Sequence, residues 1–321
     1  MQIEVPGEQF SSIEKEQYRE CHLCPRDCGV NRLEGQTGYC GMGALPKAAR
    51  AALHFWEEPC ISGQNGSGAV FFAGCNLRCV FCQNREISCE KAGKELSAQR
   101  LAEIFLELQK QGAHNINLVT GVQFIPSIAQ ALRCAKGNGL VLPVVYNCGG
   151  YESVSALELL EGLVDIYLPD FKYMEEETAQ KYSHARDYPQ KAKAAFAEMY
   201  RQVSEADFDD TGMMRKGLLV RHLLLPGRRK EAEAILSYLY QTYGDNIYLS
   251  IMNQYTPMPF VGRECRELDR KVTSYEYDKT IEFALSLGIT KAYMQTGKTA
   301  AESFIPPFDL KGIEKRNEEK S

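Results

Sequence analysis

Six short apolar runs, at 69–73, 116–120, 142–146, 164–168, 218–225 and 247–251, alternate with amphipathic stretches, and this alternation constrains the fold more than any other feature of the chain. Each run is compact and rich in aliphatic or β-branched residues, as expected of strands buried on both faces of a parallel sheet. Between them the apolar residues recur at helical spacing. Ser97 is placed as an N-cap, Leu96 and Leu101 as a hydrophobic staple, and Leu101, Ile104, Phe105 and Leu108 line one face. Phe196, Tyr200 and Val203 give a second face, and Tyr277, Ile281, Ala284 and Leu285 a third, closed by Gly288. Repeats of this kind predict an α/β fold, either an open parallel sheet or a barrel. In both, chemistry gathers at the carboxyl ends of the strands. The polar residues that break the pattern fall there: a cysteine triplet after the first run, Thr120 after the second, Asn147 after the third, and Asp170 and Lys172 after the fourth. Pro226–Gly227 follow the fifth and Asn253–Gln254 the sixth.

Composition narrows the function classes. A chain of 321 residues that is 44% hydrophobic and 25% charged can bury a sizeable core. Its net charge of -5 argues against a nucleic-acid or membrane-surface binder, which would carry a basic excess. The first 17 residues hold four glutamates and no long apolar stretch, so no secretory leader is expected. The longest uncharged run, 111–132, is too polar to span a bilayer. A cytoplasmic protein is the expectation, and in that compartment its twelve cysteines are not expected to form disulfides. Clustered cysteines there point to metal or redox chemistry.

The triplet Cys75, Cys79 and Cys82 has the spacing C-x3-C-x2-C, straight after the first strand. Three thiolates on one short loop can wrap one face of an iron–sulfur cubane, which ordinarily takes four, leaving one iron open to a ligand. A zinc site completed by Cys89 or a distant histidine, or chance clustering, would be the plainer readings. With aromatic Phe81 before the third cysteine, the motif resembles the signature of the radical S-adenosylmethionine (SAM) superfamily. Asp170-Phe171-Lys172, the Arg221–Gly227 segment and the polar turn at Asn147 are similar to the pyruvate formate-lyase activating enzyme branch. Nearest are its uncharacterised activating-enzyme-like iron–sulfur proteins. The branch's G-G-E-type motif is missing, and Thr120-Gly121-Val122-Gln123 stands in its place.

The resemblance implies a partial parallel (β/α)6-type barrel with an N-terminal cysteine-rich metal-binding extension. It divides the chain into an extension at 1–66, a barrel at 67–300 and a C-terminal extension with a charged tail at 301–321. It also implies a [4Fe–4S] cluster on Cys75, Cys79 and Cys82, with SAM cleaved reductively to a 5'-deoxyadenosyl radical that abstracts hydrogen from a substrate. A glycyl-radical enzyme is one such substrate, another protein or a small molecule the alternative, and flavodoxin or ferredoxin the reductant. Around SAM, Lys172 and Arg221 would hold the methionine carboxylate and Asp170 the ribose hydroxyls. Thr120 would accept from the amino group, Asn147 would line the site, and Phe81 would wall the adenine. Each has a plainer reading: Asp170 and Lys172 as a surface ion pair, Arg221 paired to an acid, and Phe81 as a core aromatic.

A second group, Cys21, Cys24, Cys28 and Cys40, lies among turn-forming glycines and a proline. Four thiolates suit a structural zinc or a second iron–sulfur cluster, with His22 a possible substitute ligand. A zinc-binding scaffold or nucleic-acid binder built on this knuckle is the competing class of function. Cys60, Cys89, Cys134, Cys148 and Cys265 read as packing thiols, Trp56 as a wedge between leader and barrel, and 311–321 as a solvated tail.

Overall fold

A computed structural model of the chain describes residues 11–295 and 305–314. Among them, ten strands form one sheet: β1 (Lys47–His54), β2 (Ser67–Phe72), β3 (Lys94–Glu95), β4 (Ile116–Val119), β5 (Val144–Cys148), β6 (Ile166–Pro169), β7 (Asp207–Phe208), β8 (Met214–Leu223), β9 (Tyr248–Met252) and β10 (Ala292–Met294). The order across the sheet is β10-β9-β8-β6-β5-β4-β2-β1-β3, with β7 paired to β8. Along that order every neighbouring pair from β2 to β10 is parallel, while β1 runs antiparallel to β2, β3 to β1 and β7 to β8. The sheet does not close on itself, so the architecture is an α/β partial barrel.

The six apolar runs all become strands because their residues are buried on both sides; β2, β4, β5 and β6 are buried throughout. Helices cross between them. Ser97 caps Ala98–Lys110 by accepting from the Arg100 N–H, and Leu96, Leu101, Ile104, Phe105 and Leu108 are all buried. In the helix Ser274–Ser286 the buried residues are Tyr277, Thr280 and Ala284, and Leu285 is 58% exposed. The face is rotated from the expected one because Thr280 satisfies its hydroxyl on the Glu276 carbonyl and can be buried without penalty.

The N-terminal residues share this core. A capping box between Ser11 and Glu14 starts the helix Ser12–Arg19. Tyr18 at its end is fully buried, its hydroxyl 2.9 Å from Ser127 Oγ, and Ser127 donates to Glu14 Oε1 at 2.5 Å. Tyr18, Leu23 and Met42 belong to the same apolar cluster as the barrel strands. Burying Leu23 and Met42 stabilises the attachment by about 1.5–3 kcal/mol each.

At the other end of the chain, residues 305–314 form a strap along β1. Ala51 N–H donates to the Lys311 carbonyl at 2.8 Å and Leu310 N–H to the Ala49 carbonyl at 2.9 Å. Arg50 pairs with Asp309 at 2.6 Å, and Arg100 donates to the Gly312, Ile313 and Glu314 carbonyls. Lys311 to Glu314 are therefore held rather than frayed; 315–321 lie outside the described residues. Gly312 has φ +75, and a Cβ there would fall 2.1 Å from the Ala51 carbonyl oxygen, so only glycine lets the strap lie this close. No helix among the described residues is long and apolar enough to cross a membrane.

Candidate functional site

The carboxyl ends of β2, β4, β5, β6, β8 and β9 surround a cleft of about 970 Å³, its open mouth included. Cys75, Cys79, Cys82, Thr120, Asn147, Asp170, Lys172, Arg221 and Gln254 all line it, one or more from each strand end. Residues scattered over 180 positions of sequence meet here because parallel strands put every carboxyl end on the same rim.

The cysteine loop leaves β2 through Gly74 (φ +80), where a Cβ would meet Met42 Cγ at 2.4 Å and the Cys40 carbonyl oxygen at 3.0 Å. Gln123 clamps the exit: its side-chain amide donates to the carbonyls of Ala73, Gly74 and Thr120. That is what stands where the activating-enzyme branch carries an acidic motif. Each of the three sulfurs receives donors. Leu77 N–H points to Cys75 Sγ at 3.4 Å, Ser183 Oγ to Cys79 at 3.0 Å and Ser88 Oγ to Cys82 at 3.3 Å. Burial pushes the Cys75 thiol up to about 12 and Cys82 up to about 11, with repulsion from the neighbouring thiols adding to it. Three sulfurs converging on one cleft, each with a hydrogen-bond donor, fit a cluster that supplies the compensating positive charge.

The same cleft has a charged floor. Arg221 Nε donates to Asp170 Oδ1 at 2.9 Å, Nη1 to Glu57 Oε2 at 3.1 Å and Nη2 to Asn147 Oδ1 at 2.7 Å. Lys172 Nζ reaches Asp170 Oδ2 at 2.7 Å, and Glu57 Oε1 accepts from Asn147 and Asn117. Burial works against the Asp170 carboxylate, yet Arg221 and Lys172 more than offset it and hold its pKa below the ordinary value. Burial likewise opposes the Lys172 charge, and Asp170 reverses that, so the ammonium persists at any working pH. Arg221 is only 15% exposed and spends three of its N–H groups inside the network. Lys172 retains donors free to face the cleft.

Neighbouring residues fall on either side of this floor. His222 points away from the cleft, its Nδ1 2.8 Å from the Phe171 carbonyl, and burial lowers it to about 4. Phe81 is buried edge-on to Tyr182 and Tyr255 and is not among the cleft-lining residues; Phe71, Leu77 and Val119 supply the apolar wall. Trp56, expected as a wedge between leader and barrel, is 60% exposed and lines the cleft. Glu57 is the residue sequence reasoning passed over. It follows β1, an antiparallel strand outside the βα pattern, and its one signal was a pair of adjacent acids before Pro59.

The N-terminal quartet lines a separate cavity of about 360 Å³, opening included, together with Arg26, Arg32, Asn76 and Gln123. His22 is not among the lining residues: its ring pairs with Asp27 and Glu20 at the surface. Among the described residues no three His, Cys, Asp or Glu side chains are set to hold one metal ion. None of the twelve cysteines, all among the described residues, is in a disulfide; Cys60, Cys148 and Cys265 are buried, Cys89 and Cys134 half-buried.

The model of the Radical SAM superfamily matches residues 69–239, over half of the chain, and the chain belongs to that superfamily. Membership makes it an enzyme that cleaves SAM reductively by a radical route, with a [4Fe–4S] cluster and an external reductant. An uncharacterised protein of Methanocaldococcus jannaschii is 28% identical over 291 residues, 88% of this chain and 79% of the relative. Among solved structures, methylornithine synthase is 13% identical with a TM-score of 0.45, over 68% of this chain and 60% of that one. Streptococcus suis SuiB bound to precursor peptide SuiA is 9% identical with a TM-score of 0.46, over 69% and 46%. The chain spans less than two thirds of either structure, and likeness at this level says nothing about substrate.

Proposed function

We propose that Cys75, Cys79 and Cys82 hold the [4Fe–4S] cluster and that the cleft beside them binds SAM for hydrogen abstraction of the activating-enzyme kind, from a protein substrate such as a glycyl-radical enzyme. The observation that carries this reading is that three donor-supported sulfurs and the Lys172–Asp170–Arg221 floor line a single cleft. When bound, the cluster supplies the electron that breaks SAM to methionine and a 5'-deoxyadenosyl radical. The chain's own residues bind and orient. Lys172 Nζ, with donors left over, takes the methionine carboxylate, and Arg221 acts with it while fixing Asp170 and Asn147 in place. Asp170 would accept from the ribose hydroxyls through the lone pairs that its ion pairs leave over, and the Thr120 hydroxyl would accept from the amino group. The adenine lies on Phe71, Leu77 and Val119, with Phe81 buttressing the cysteine loop from behind.

Among the described residues the cleft, lined also by Trp56, Ile305 and Pro306, opens outward, and this supports a protein substrate, because a polypeptide needs an unlidded entrance. On this reading 67–300 is the catalytic barrel and 1–66 and 301–321 flank it, the former lending β1 and Glu57 to the sheet and floor. The free cysteines and cluster chemistry suit the cytoplasm, with flavodoxin or ferredoxin as reductant. Calorimetric titration of the anaerobic holoenzyme with SAM tests the floor: Lys172→Met should weaken binding at least about tenfold, a loss of about 1.4 kcal/mol. Unchanged affinity would remove Lys172 from the site. Mixing the enzyme, SAM, reductant and a glycyl-radical enzyme of the same host should generate a glycyl radical signal by EPR; SAM cleavage without one would redirect the substrate assignment.

A further inference from the structure

Cys24 and Cys40 of the N-terminal quartet are held by the same local device as Cys75 and Cys82 of the barrel loop. In the barrel loop, the N–H two residues on donates to the sulfur at Cys75 (from Leu77) and at Cys82 (from Asn84). In the N-terminal knuckle the same turn recurs at Cys24 (from Arg26) and Cys40 (from Met42). The other two sulfurs are also served, Cys28 by the Tyr39 N–H at 3.4 Å and Cys21 by Arg32 Nη1 at 3.9 Å. Every thiol of the quartet therefore accepts an N–H, the support that a metal-bound thiolate needs.

The sulfurs surround a cavity rather than converge on a point. Around one zinc ion the ligand sulfurs would stand about 3.8 Å apart, given tetrahedral Zn–S bonds of about 2.3 Å. Among the described residues no three of them are set to hold one ion, yet all four line one cavity with Arg26 and Arg32, whose charges would balance an anionic multi-iron core. The cavity also abuts the barrel loop. Asn76, next to Cys75, lines it and donates to Cys24, and Arg26 Nε donates to the Asn76 carbonyl at 2.8 Å. Arg26 Nη2 reaches the carbonyl of Ser183, whose hydroxyl donates to Cys79. Tyr39, beside Cys40, stacks under Arg26 and Arg78, the latter inside the barrel loop.

We infer that Cys21, Cys24, Cys28 and Cys40 hold a second iron–sulfur cluster, set against the Cys75–Cys82 loop through Asn76 and Arg26. It stores one electron from a one-electron protein reductant and yields it to the neighbouring site, with no bond made or broken and no proton moved. The site itself stands on its own residues; its use as an electron store rests on the barrel cluster proposed above.

Metal counts on full-length protein separate the two. Anaerobically reconstituted wild type should carry about eight irons with equal sulfide, or about six if the second cluster is of the two-iron kind. The variant Cys75→Ala/Cys79→Ala/Cys82→Ala should keep about two to four irons, matching sulfide and an EPR signal on reduction. About one zinc and no iron in that variant, with only about four irons in wild type, would overturn the inference. Because the wild-type count needs no substitution, a misfolded variant cannot mask the answer. If Cys24→Ala/Cys28→Ala loses all iron while the triple variant keeps its share, the barrel ligands fail and the second cluster stands. In doubly reduced wild type, the EPR lines should be split by coupling between the clusters; a plain sum of the two variants' spectra would sink the proximity.

Discussion

Glu152 provides a quantitative test of the interior behind the cleft. It is 1% exposed, and burial pushes its carboxyl up to about 7, with the Asp170 charge adding to the effect and Lys172 opposing it. Against the ordinary 4.5, the difference at 1.36 kcal/mol per pH unit comes to roughly 3 kcal/mol. Between these two pH values the unfolded chain has released a proton that the folded chain retains. Stability therefore falls by that amount as pH rises from 4.5 to 7, and this group causes no further change above. Glu152→Gln preserves shape and never ionises, so its stability relative to wild type should improve by roughly 3 kcal/mol between pH 4.5 and 7.5. Urea denaturation of reduced apo-protein at several pH values measures this, with the other titrating groups cancelling between the two proteins. A wild-type–variant difference that stays flat to within about 0.5 kcal/mol would refute a buried, proton-holding carboxyl.

Removing Arg221 as Met leaves Asp170 with Lys172 alone and Glu57 without a cationic partner, and should cost about 3–5 kcal/mol in the same denaturation assay. Adding Asp170→Asn should return part of it, whereas strict additivity would mean the network is not coupled. Gly312→Ala forces a Cβ onto the Ala51 carbonyl, so hydrogen exchange at the Ala51 and Leu310 amides should accelerate markedly while β4 and β5 remain protected. Unchanged exchange there would mean that the strap accommodates the methyl.

Much of the parallel sheet was legible because strands buried on both faces must be continuously apolar, and all six such runs became strands. What escaped were strands specified by partners instead of by composition. β1, Lys47–His54, is built largely of alanine with lysine, arginine and histidine, and β-propensity gives it no signal; its pairing with β2 makes it a strand. Glu57 went unseen for the same reason, since its place on the floor depends on where β1 delivers it. The cleft residues flagged at strand ends do meet there, because the carboxyl-end rule depends only on strand direction. Side-chain orientation was less legible. Alternation along β8 correctly separated Arg221 from His222, but nothing in the local pattern indicated that Phe81 would turn to Tyr182 and Tyr255.

The most direct test of the account is release of 5'-deoxyadenosine by the anaerobic, reconstituted protein given SAM and dithionite. Wild type should release it, and Cys75→Ala, Cys79→Ala and Cys82→Ala should each abolish it while the Cys24→Ala/Cys28→Ala protein still carries the barrel share of iron. Continued release from any of the three single variants would contradict the assignment of the cluster to this loop.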